Sequence, residues 1–187
     1  MRSEVKNESK LIKKIQKHYD RQAANVLISA YYEEIYAFMY KQLRDVNQAM
    51  DLTQEIFIAM LQSIGSYTPK KASFRTWLYR IASNKIIDYF RSSDYKYLLK
   101  STDLESIEFL LSDTADVEVI AEDRKLLQDV LYQISLYDFE VQEILRLKFF
   151  ADKTFSEIAQ ILMMSENTVK TKYYTALKRL RKDCGNR

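Results

Sequence analysis

The chain has 187 residues, of which 47% are hydrophobic and 29% charged, and its formal net charge is +3. It contains two glycines and one proline, far below the average shares of about 7% and about 5%, which excludes most β-hairpins and the glycine-rich loops that bind nucleotides. One cysteine and one histidine exclude an intrachain disulfide and the usual zinc sites. We therefore expect an all-α protein without a metal or another cofactor.

The sequence shows no targeting or membrane segment. The longest stretch without Asp, Glu, Lys or Arg lies between Glu55 and Lys70, which is shorter than the roughly 20 residues of a membrane-spanning helix. The N-terminal residues are charged and lack an apolar signal core. Together with the single cysteine, these features predict a soluble protein of the cytoplasm.

Charge is distributed unevenly along the chain. Residues 66–100 carry eight basic and two acidic side chains, and residues 165–187 carry seven basic and two acidic ones. Between them, residues 101–123 carry eight acidic side chains and no basic one. Because a phosphate backbone responds to local charge rather than to net charge, the two basic segments predict two surfaces that bind polyanions.

Helical periodicity predicts four helices in the first half of the chain, of which the first is short and rich in lysine. Leu11, Ile12 and Ile15 form its apolar side. The second helix spans about six turns, and Asp20 is placed to cap its N-terminus. Its apolar residues recur at steps of three and four, as in a helix that packs on a core: Ala24, Leu27, Ile28, Tyr31, Ile35, Phe38, Met39 and Leu43.

The third helix is predicted over residues 46–64, and Gly65 is placed to end it in the left-handed conformation. Asp51, Gln54 and Glu55 share one face of this helix. Without a histidine nearby, the carboxylates do not make a di-iron or hydrolase site. The face is therefore either solvated or a surface for a partner.

Pro69 disfavours helix at the residue before it, and Ser73 can cap a fourth helix over residues 74–91. Aromatic and basic residues interleave along this helix. Proteins hold unpaired strands with that combination, in which each stacked base contributes about 1–3 kcal/mol. Some of its members fit the core better: Phe74, Trp77, Leu78, Ile81 and Ile86. The better candidates for nucleic-acid contact are Arg75, Arg80, Asn84 and Lys85.

Beyond the fourth helix the periodicity weakens, and residues 93–120 are predicted to form an acidic linker. It joins a four-helix domain, residues 1–92, to a second helical domain, residues 121–187. Apolar stripes over residues 126–134 and 141–149 predict the first two helices of that domain. The predicted fold class is thus all-α with two helical domains.

The last part of the chain carries the pattern of a helix-turn-helix. Thr154 and Glu157 are spaced as a capping box at the start of one helix, and Ser165 can cap the next. Ala159 is small enough to let the two helices approach closely. The second helix of such a motif reads the major groove of DNA, although a helical hairpin with solvated lysines is an alternative. Its outward residues that can contact bases are Asn167, Thr168, Lys170, Thr171 and Tyr174.

Three ordered stretches of the sequence are shared with one protein family. They are Asp51-Leu-Thr-Gln-Glu-Ile-Phe-Ile-Ala, then Ser73-Phe-Arg-Thr-Trp-Leu-Tyr-Arg-Ile-Ala with the residues up to Arg91, then Phe155-Ser-Glu-Ile-Ala with the Ser-x-x-Thr-Val-Lys that ends at Lys170. In order, spacing and chain length they resemble the extracytoplasmic-function (ECF) sigma factors of bacterial RNA polymerase. The resemblance covers nearly the whole chain.

The resemblance implies a promoter-specificity subunit. Such a subunit binds core RNA polymerase, directs it through the −10 and −35 promoter elements, and promotes DNA melting and transcription initiation. It implies no enzyme activity of the chain itself, because RNA synthesis belongs to the polymerase. The implied partners are promoter DNA, the β′ clamp helices and the β flap of the polymerase, and an anti-sigma factor. The first domain would be sigma region 2 and the second sigma region 4.

The resemblance also implies which residues make these contacts. The β′ clamp would bind Asp51, Gln54, Glu55 and Phe57. The −10 element would be captured by the loop 65–72 and, on the fourth helix, by Arg75, Trp77, Arg80, Asn84, Lys85, Asp88 and Arg91. The −35 element would be read by Ser165, Asn167, Thr168, Lys170, Thr171, Lys172 and Tyr174.

The sequence departs from the family at three turns. Tyr19 and Met163 stand where relatives often have glycine, and Tyr137 where they often have proline. Met163 is therefore expected to need a left-handed conformation or a slightly different turn.

From the residues alone, other classes of protein stay open. One is an activator that reads an operator as a dimer, although the first half lacks the strands of a receiver domain. Another is a helical adaptor whose basic faces are merely solvated. An enzyme is disfavoured by the near absence of histidine, glycine and cysteine.

Overall fold

The structure is a computed structural model and describes residues 7–91, 133–134 and 136–184. These residues form seven α-helices and one short 3-10 helix, and no strand is present among them. The chain divides between Asp88 and Tyr89 into two compact units. The predicted all-α fold is confirmed, whereas the predicted linker, 93–120, lies outside the described residues.

Four α-helices begin in the first unit. They are α1 Glu8–His18, α2 Arg21–Leu43, α3 Val46–Ser63 and α4 Phe74–Arg91, with the 3-10 helix η1 Ile64–Ser66 directly after α3. Each α-helix turns an apolar side inward, and each large apolar side chain that is buried contributes about 1.5–3 kcal/mol. The core includes Ile12, Ile15, Leu27, Ile35, Phe38, Met39, Ile56, Met60, Phe74, Leu78, Tyr79 and Ile86.

Polar side chains cap the helices of this unit. Asp20 accepts a hydrogen bond from the backbone N–H three residues later at 3.0 Å. Ser73 accepts the corresponding bond at 3.1 Å, so both predicted caps are confirmed. Asp45 caps α3 in the same way at 2.8 Å, a role that the periodicity alone did not indicate. Each such cap contributes about 1 kcal/mol to helix stability.

Gly65 does not end α3 in the left-handed conformation, so this prediction is wrong. No glycine among the described residues has a positive φ. The chain instead tightens into η1, which is closed by a hydrogen bond from the Tyr67 N–H to the Ile64 carbonyl at 3.1 Å. A Cβ at position 65 would meet no atom within 4 Å, so the backbone there does not require glycine.

The second unit contains α5 Phe139–Phe150, α6 Phe155–Leu162 and α7 Glu166–Cys184. The capping box of α6 is present, with both hydrogen bonds between Thr154 and Glu157. Ser165 accepts a hydrogen bond from a backbone N–H of α7 at 3.0 Å. One part of the core packs Ile134, Val141, Leu145, Ala176 and Leu180 together. The predicted helix-turn-helix is therefore present in α6 and α7.

Met163 lies at the turn between α6 and α7 in the left-handed conformation, with φ 57 and ψ 40. The backbone N–H groups of Met163 and Met164 both donate to the Ala159 carbonyl. Ala159 is buried, in keeping with the prediction that its small side chain lets the two helices approach closely. Of the two alternatives expected at Met163, the left-handed conformation is the one observed.

Helix α5 buries an ion pair that the sequence analysis did not identify. An Arg146 nitrogen lies 3.0 Å from a Glu143 oxygen, and the two side chains are 8% and 0% exposed. A second Arg146 nitrogen donates to Gln142 at 2.9 Å. Because removal of one partner would leave a buried charge, these residues are tied to the stability of the second unit.

Candidate nucleic-acid and partner interfaces

One stripe of α4 collects most of the residues implied in −10 contact. Trp77, Arg80, Asn84, Asp88 and Arg91 follow one another at steps of three and four, which places them along one side of the helix. The last three are exposed and the first two half-buried. We call these five residues the capture stripe. Of the five residues of α4 that fit the core in the sequence, Phe74, Leu78 and Ile86 are buried, while Trp77 and Ile81 are half-buried.

Two other predicted contact residues lie off this stripe and are held by carboxylates. Arg75 donates from Nε to Glu34 of α2 at 2.7 Å, and a terminal nitrogen reaches the same oxygen at 2.7 Å. Lys85 donates to Glu55 of α3 at 3.0 Å. For either cation to contact DNA, the ion pair must first be exchanged for a phosphate.

The loop before α4 is anchored at its base by Tyr67. The Tyr67 ring is buried and lies 5.2 Å from the Trp77 ring and 5.6 Å from the Phe74 ring between centroids. Its hydroxyl donates to the Ala72 carbonyl at 3.2 Å. Residues 68–71 between these points are exposed. The loop thus presents a short basic tip next to the half-buried indole of Trp77.

Helix α3 presents the residues implied in polymerase binding, with one exception. Asp51, Gln54 and Glu55 are exposed and within one arc of the helix. We call these three residues the acidic face. Phe57 is only 4% exposed, and its ring stacks on Tyr32 of α2 at 6.0 Å. In this structure Phe57 packs beneath the surface instead of being presented on it.

Apolar side chains border the acidic face. Met50, Ile58 and Leu61 of α3 are 40%, 55% and 37% exposed. Met50 is four positions from Gln54, Ile58 is three positions from Glu55, and Leu61 is three positions from Ile58. The three apolar side chains therefore lie beside the acidic face on the helix. Exposed apolar side chains gathered beside charged ones are typical of surfaces that bind other proteins. The mixed surface favours a protein partner, a feature that the carboxylates alone did not show.

Helix α7 presents the residues expected to read duplex DNA. Asn167, Thr168, Thr171 and Tyr174 are exposed, while Val169 is fully buried. We call the four exposed residues the reading face. Ser165 is exposed too, and its hydroxyl caps the helix. Of the five positions predicted to face outward, four are therefore exposed, and Lys170 is half-buried.

Two lysines of α7, Lys170 and Lys172, are paired with carboxylates. Lys170 lies 2.6 Å from Glu166 in the first turn, and this hydrogen bond raises the pKa of Lys170. Lys172 lies 2.9 Å from Glu140 of α5, which raises the pKa of Lys172. Both side chains consequently stay protonated in the neutral range. Each is a cation available for phosphate once its carboxylate is displaced.

Within the described ranges, no group of three or more His, Cys, Asp or Glu side chains is arranged to hold a metal ion. In that same part of the chain no helix combines the length and the apolar character needed to cross a membrane.

Known proteins share both units. The family model described as sigma-70 region 2 matches residues 27–95, and the one described as sigma-70, region 4 matches residues 138–182. A Bacillus subtilis relative, ECF RNA polymerase sigma factor SigW, is 32% identical, with 92% of this chain and 94% of the relative covered. A second relative from the same organism, ECF RNA polymerase sigma factor SigX, is 26% identical over 84% of this chain and 81% of its own.

Solved structures agree on the fold. CnrH, in a complex with the cytosolic domain of CnrY, superposes with a TM-score of 0.64 at 17% identity, covering 96% of this chain and 97% of CnrH. The sigma factor RpoE of Bartonella quintana, in a complex with the anti-sigma factor NepR, has a TM-score of 0.53 at 15% identity over 83% of this chain and 92% of RpoE.

Proposed function

The chain belongs to the extracytoplasmic-function sigma factors of bacterial RNA polymerase, and on that premise we propose how its surfaces share the work of promoter-specific transcription. The polymerase core performs RNA synthesis in the cytoplasm, and this chain supplies promoter recognition without an active site of its own. Residues 1–92 act as region 2, residues 93–120 as the linker, and residues 121–187 as region 4.

The acidic face and its apolar border bind the β′ clamp helices of the polymerase. Exposed Asp51 and Glu55 offer charge to a basic partner surface, while Ile58 and Leu61 offer apolar area. Charged groups of this kind steer the encounter and select the partner, and the apolar contacts supply the stable part of the binding. Phe57 supports the face from beneath through its contact with Tyr32.

The loop 65–72 and the capture stripe hold the −10 element after it opens. Extruding a base from the duplex costs a few kcal/mol, and stacking on an aromatic ring recovers about 1–3 kcal/mol per base. Trp77 supplies such a ring, and Asn84 supplies hydrogen-bonding groups beside it on α4. Arg80 and Arg91 attract the phosphate backbone. Capture of the unpaired strand thereby favours the melted promoter over the closed one.

The reading face of α7 enters the major groove at the −35 element, and Lys170 and Lys172 lie close to phosphate. Asn167 can pair with adenine, and Thr168 and Thr171 can contact thymine methyl groups. Each base contact of this type contributes about 1–3 kcal/mol of discrimination. Two modest DNA-binding units on one polymerase then bind together more tightly than either alone.

An anti-sigma factor is a further proposed partner. The two solved relatives above are each bound to another protein, and for RpoE that protein is an anti-sigma factor. In this chain, the exposed apolar border of the acidic face is the described surface most suited to a protein. A partner bound there would exclude the polymerase.

The observation that carries the proposal is the order of three different surfaces along one chain: an acidic face with exposed apolar side chains on α3, an aromatic and basic stripe on α4, and a helix-turn-helix at α6 and α7. Reconstituted transcription tests it. Core polymerase with this chain should initiate at defined promoters that core polymerase alone ignores. If the chain binds a duplex operator tightly without polymerase and never directs initiation, the proposal fails.

The polymerase contact has its own test. Because Glu55 also holds Lys85, substitution of Glu55 alters two surfaces, and the variant Asp51→Asn with Ile58→Ser is cleaner. We expect it to weaken binding to core polymerase by about tenfold or more while the helical content stays unchanged. Glu33→Gln, which removes an exposed carboxylate of α2, is the matched control. Unchanged binding by the double variant would refute this contact.

A further inference from the structure

Helix α1 has no role in the contacts proposed above, yet it is tied directly to the loop before α4. It packs on α2 and η1 through Ile12 and Ile15, both buried. The Gln16 side chain donates from Nε2 to the Ile64 carbonyl at 2.8 Å and to the Tyr67 carbonyl at 3.0 Å. One amide group therefore spans the backbone at which α3 ends and the loop begins.

Tyr67 is fixed at three points. Gln16 holds its carbonyl, the rings of Phe74 and Trp77 pack on its ring, and its hydroxyl donates to the Ala72 carbonyl. Burial and, to a smaller extent, the charge of Glu8 raise the pKa of Tyr67, so its hydroxyl stays protonated and keeps donating. The loop is thus closed at both ends by one residue.

The far end of α1 is fixed as well. The Tyr31 hydroxyl of α2 donates to the Glu8 carboxylate in the first turn of α1. Burial raises the pKa of Tyr31, and the hydrogen bond to Glu8 raises it further, which keeps the hydroxyl protonated. With Glu8 bound at one end and Gln16 at the other, α1 has little freedom to shift along α2.

The Gln16 hydrogen bonds fix the end of α3, which lacks the usual closure of a helix C-terminus. Gly65 is not in the left-handed conformation that commonly closes a helix C-terminus. The backbone runs through η1 into the loop, and Gln16 is the side chain that binds carbonyls on both sides of η1. A site that captures a base must hold its contact atoms to a fraction of an ångström. Because the tip of this loop is exposed, the residues that anchor its two ends must supply that precision.

We propose that α1 fixes the position of the loop 65–72. Gln16 and the Tyr67 hydroxyl are then positioning residues for the nucleotide base of the −10 strand that is bound beside Trp77. The inference rests on the proposed function of the loop. Neither residue needs to touch DNA. Gln16 acts through Tyr67, and Tyr67 acts through Ala72 and the Trp77 ring.

The test compares Gln16→Met and Tyr67→Phe with the wild-type chain in holoenzyme assembled on core polymerase. Gln16→Met keeps the length of the side chain and removes its donor, and Tyr67→Phe keeps the ring and removes its hydroxyl. Gln22→Met, at an exposed position of α2, is the matched control. The probe is a pool of single-stranded oligonucleotides with a randomised window of six bases, which is sequenced before and after capture by the holoenzyme.

Wild-type holoenzyme should enrich one sequence. Both loop variants should lose about tenfold in preference at the captured base, the factor associated with one lost hydrogen bond, while Gln22→Met keeps the wild-type profile. Core loading and the melting temperature should change little for Tyr67→Phe. If Gln16→Met fails to load on the polymerase, its result reports a folding defect. The comparison of Tyr67→Phe with the wild type then tests the inference.

Two results would overturn the inference. One is an unchanged enrichment profile in Tyr67→Phe. The other is an equal loss of affinity for every sequence in the pool, because a loss of position should reduce preference before it reduces general binding. If wild-type holoenzyme itself enriches no sequence, the proposed function of the loop fails instead, so the two failures are distinguishable.

Discussion

The two candidate nucleic-acid surfaces of this chain divide contact from core in different ways. On α7 the reading face is exposed and the core residues lie on the opposite side, with Val169 fully buried. On α4 the ring of Trp77 packs on Tyr67 and Phe74 and is also the ring offered to a base. A surface that stacks on unpaired bases needs aromatic area, and aromatic rings are drawn into the core. A surface that reads a duplex can use small polar groups, and Asn167, Thr168 and Thr171 of the reading face avoid this conflict.

The supports beneath the two surfaces differ as well. The first unit rests on a wide apolar core from four helices. The described part of the second unit has two short helices, α5 and α6, besides α7, and it buries the ion pair between Arg146 and Glu143. Loss of a buried charge partner is more damaging than loss of one apolar contact among many. The second unit should therefore be the one that fails from a single polar substitution.

The largest effect is expected from Arg146→Met. It leaves the Glu143 carboxylate buried without its arginine, at a cost of about 3–5 kcal/mol. Hydrogen exchange followed by mass spectrometry on the full chain should show faster exchange in residues 139–184 and little change in residues 8–88. Arg179→Met, the same replacement at an exposed arginine of α7, should cost less than about 0.5 kcal/mol.

If Arg146→Met accelerated exchange in residues 139–184 no more than in residues 8–88, this prediction would be contradicted. That result would mean that Glu143 changes its protonation state or finds another donor at little cost. Repeating the exchange at lower pH separates these cases. A protonated Glu143 costs less to bury, so the effect of Arg146→Met should shrink as the pH falls if the penalty is electrostatic.

The second expected effect concerns the shared ring on α4. Trp77→Ala should lower the free energy of unfolding by about 2–3 kcal/mol, below the value for a fully buried tryptophan because the ring is half-exposed. It should also abolish promoter melting. Asn84→Ala, at an exposed position, should reduce melting while stability changes by less than about 0.5 kcal/mol. Chemical denaturation and permanganate footprinting of the promoter measure the two properties.

The corresponding substitution on α7 completes this comparison. Asn167→Ala should weaken binding to the −35 duplex by about 1–3 kcal/mol without affecting stability, because Asn167 lies on the reading face. If a residue of the reading face proves as costly to stability as Trp77, the two surfaces are not built differently.

The features that could be predicted from the sequence are those formed between residues close together in the chain. Caps at Asp20, Ser73 and Ser165 are local, since each bond joins residues three positions apart, and spacing was enough to predict them. The left-handed Met163 and the reading face are local features too.

The bonds that change the interpretation are not local. Arg75 and Glu34 are 41 positions apart, Lys85 and Glu55 are 30 apart, and no spacing rule joins them. The wrong prediction at Gly65 has the same origin, because Gln16, at a distance of 48 positions, binds the end of α3. The burial of Phe57, which the resemblance places in contact with the β′ clamp, could not be predicted either, because its ring packs on Tyr32 of another helix.

The smallest expected effect lies at the turn beneath the reading face. Met163 has φ 57 and its side chain is 77% exposed, so the residue carries backbone strain without burying its side chain. A left-handed non-glycine residue costs about 1–2 kcal/mol, while glycine costs about 0.5–1 kcal/mol in lost chain entropy. Met163→Gly should thus stabilise the second unit by about 0.5–1 kcal/mol, measured by denaturation. Met164→Gly, next to it but without positive φ, should destabilise by a similar amount, and the same sign for both would show that the turn is not strained.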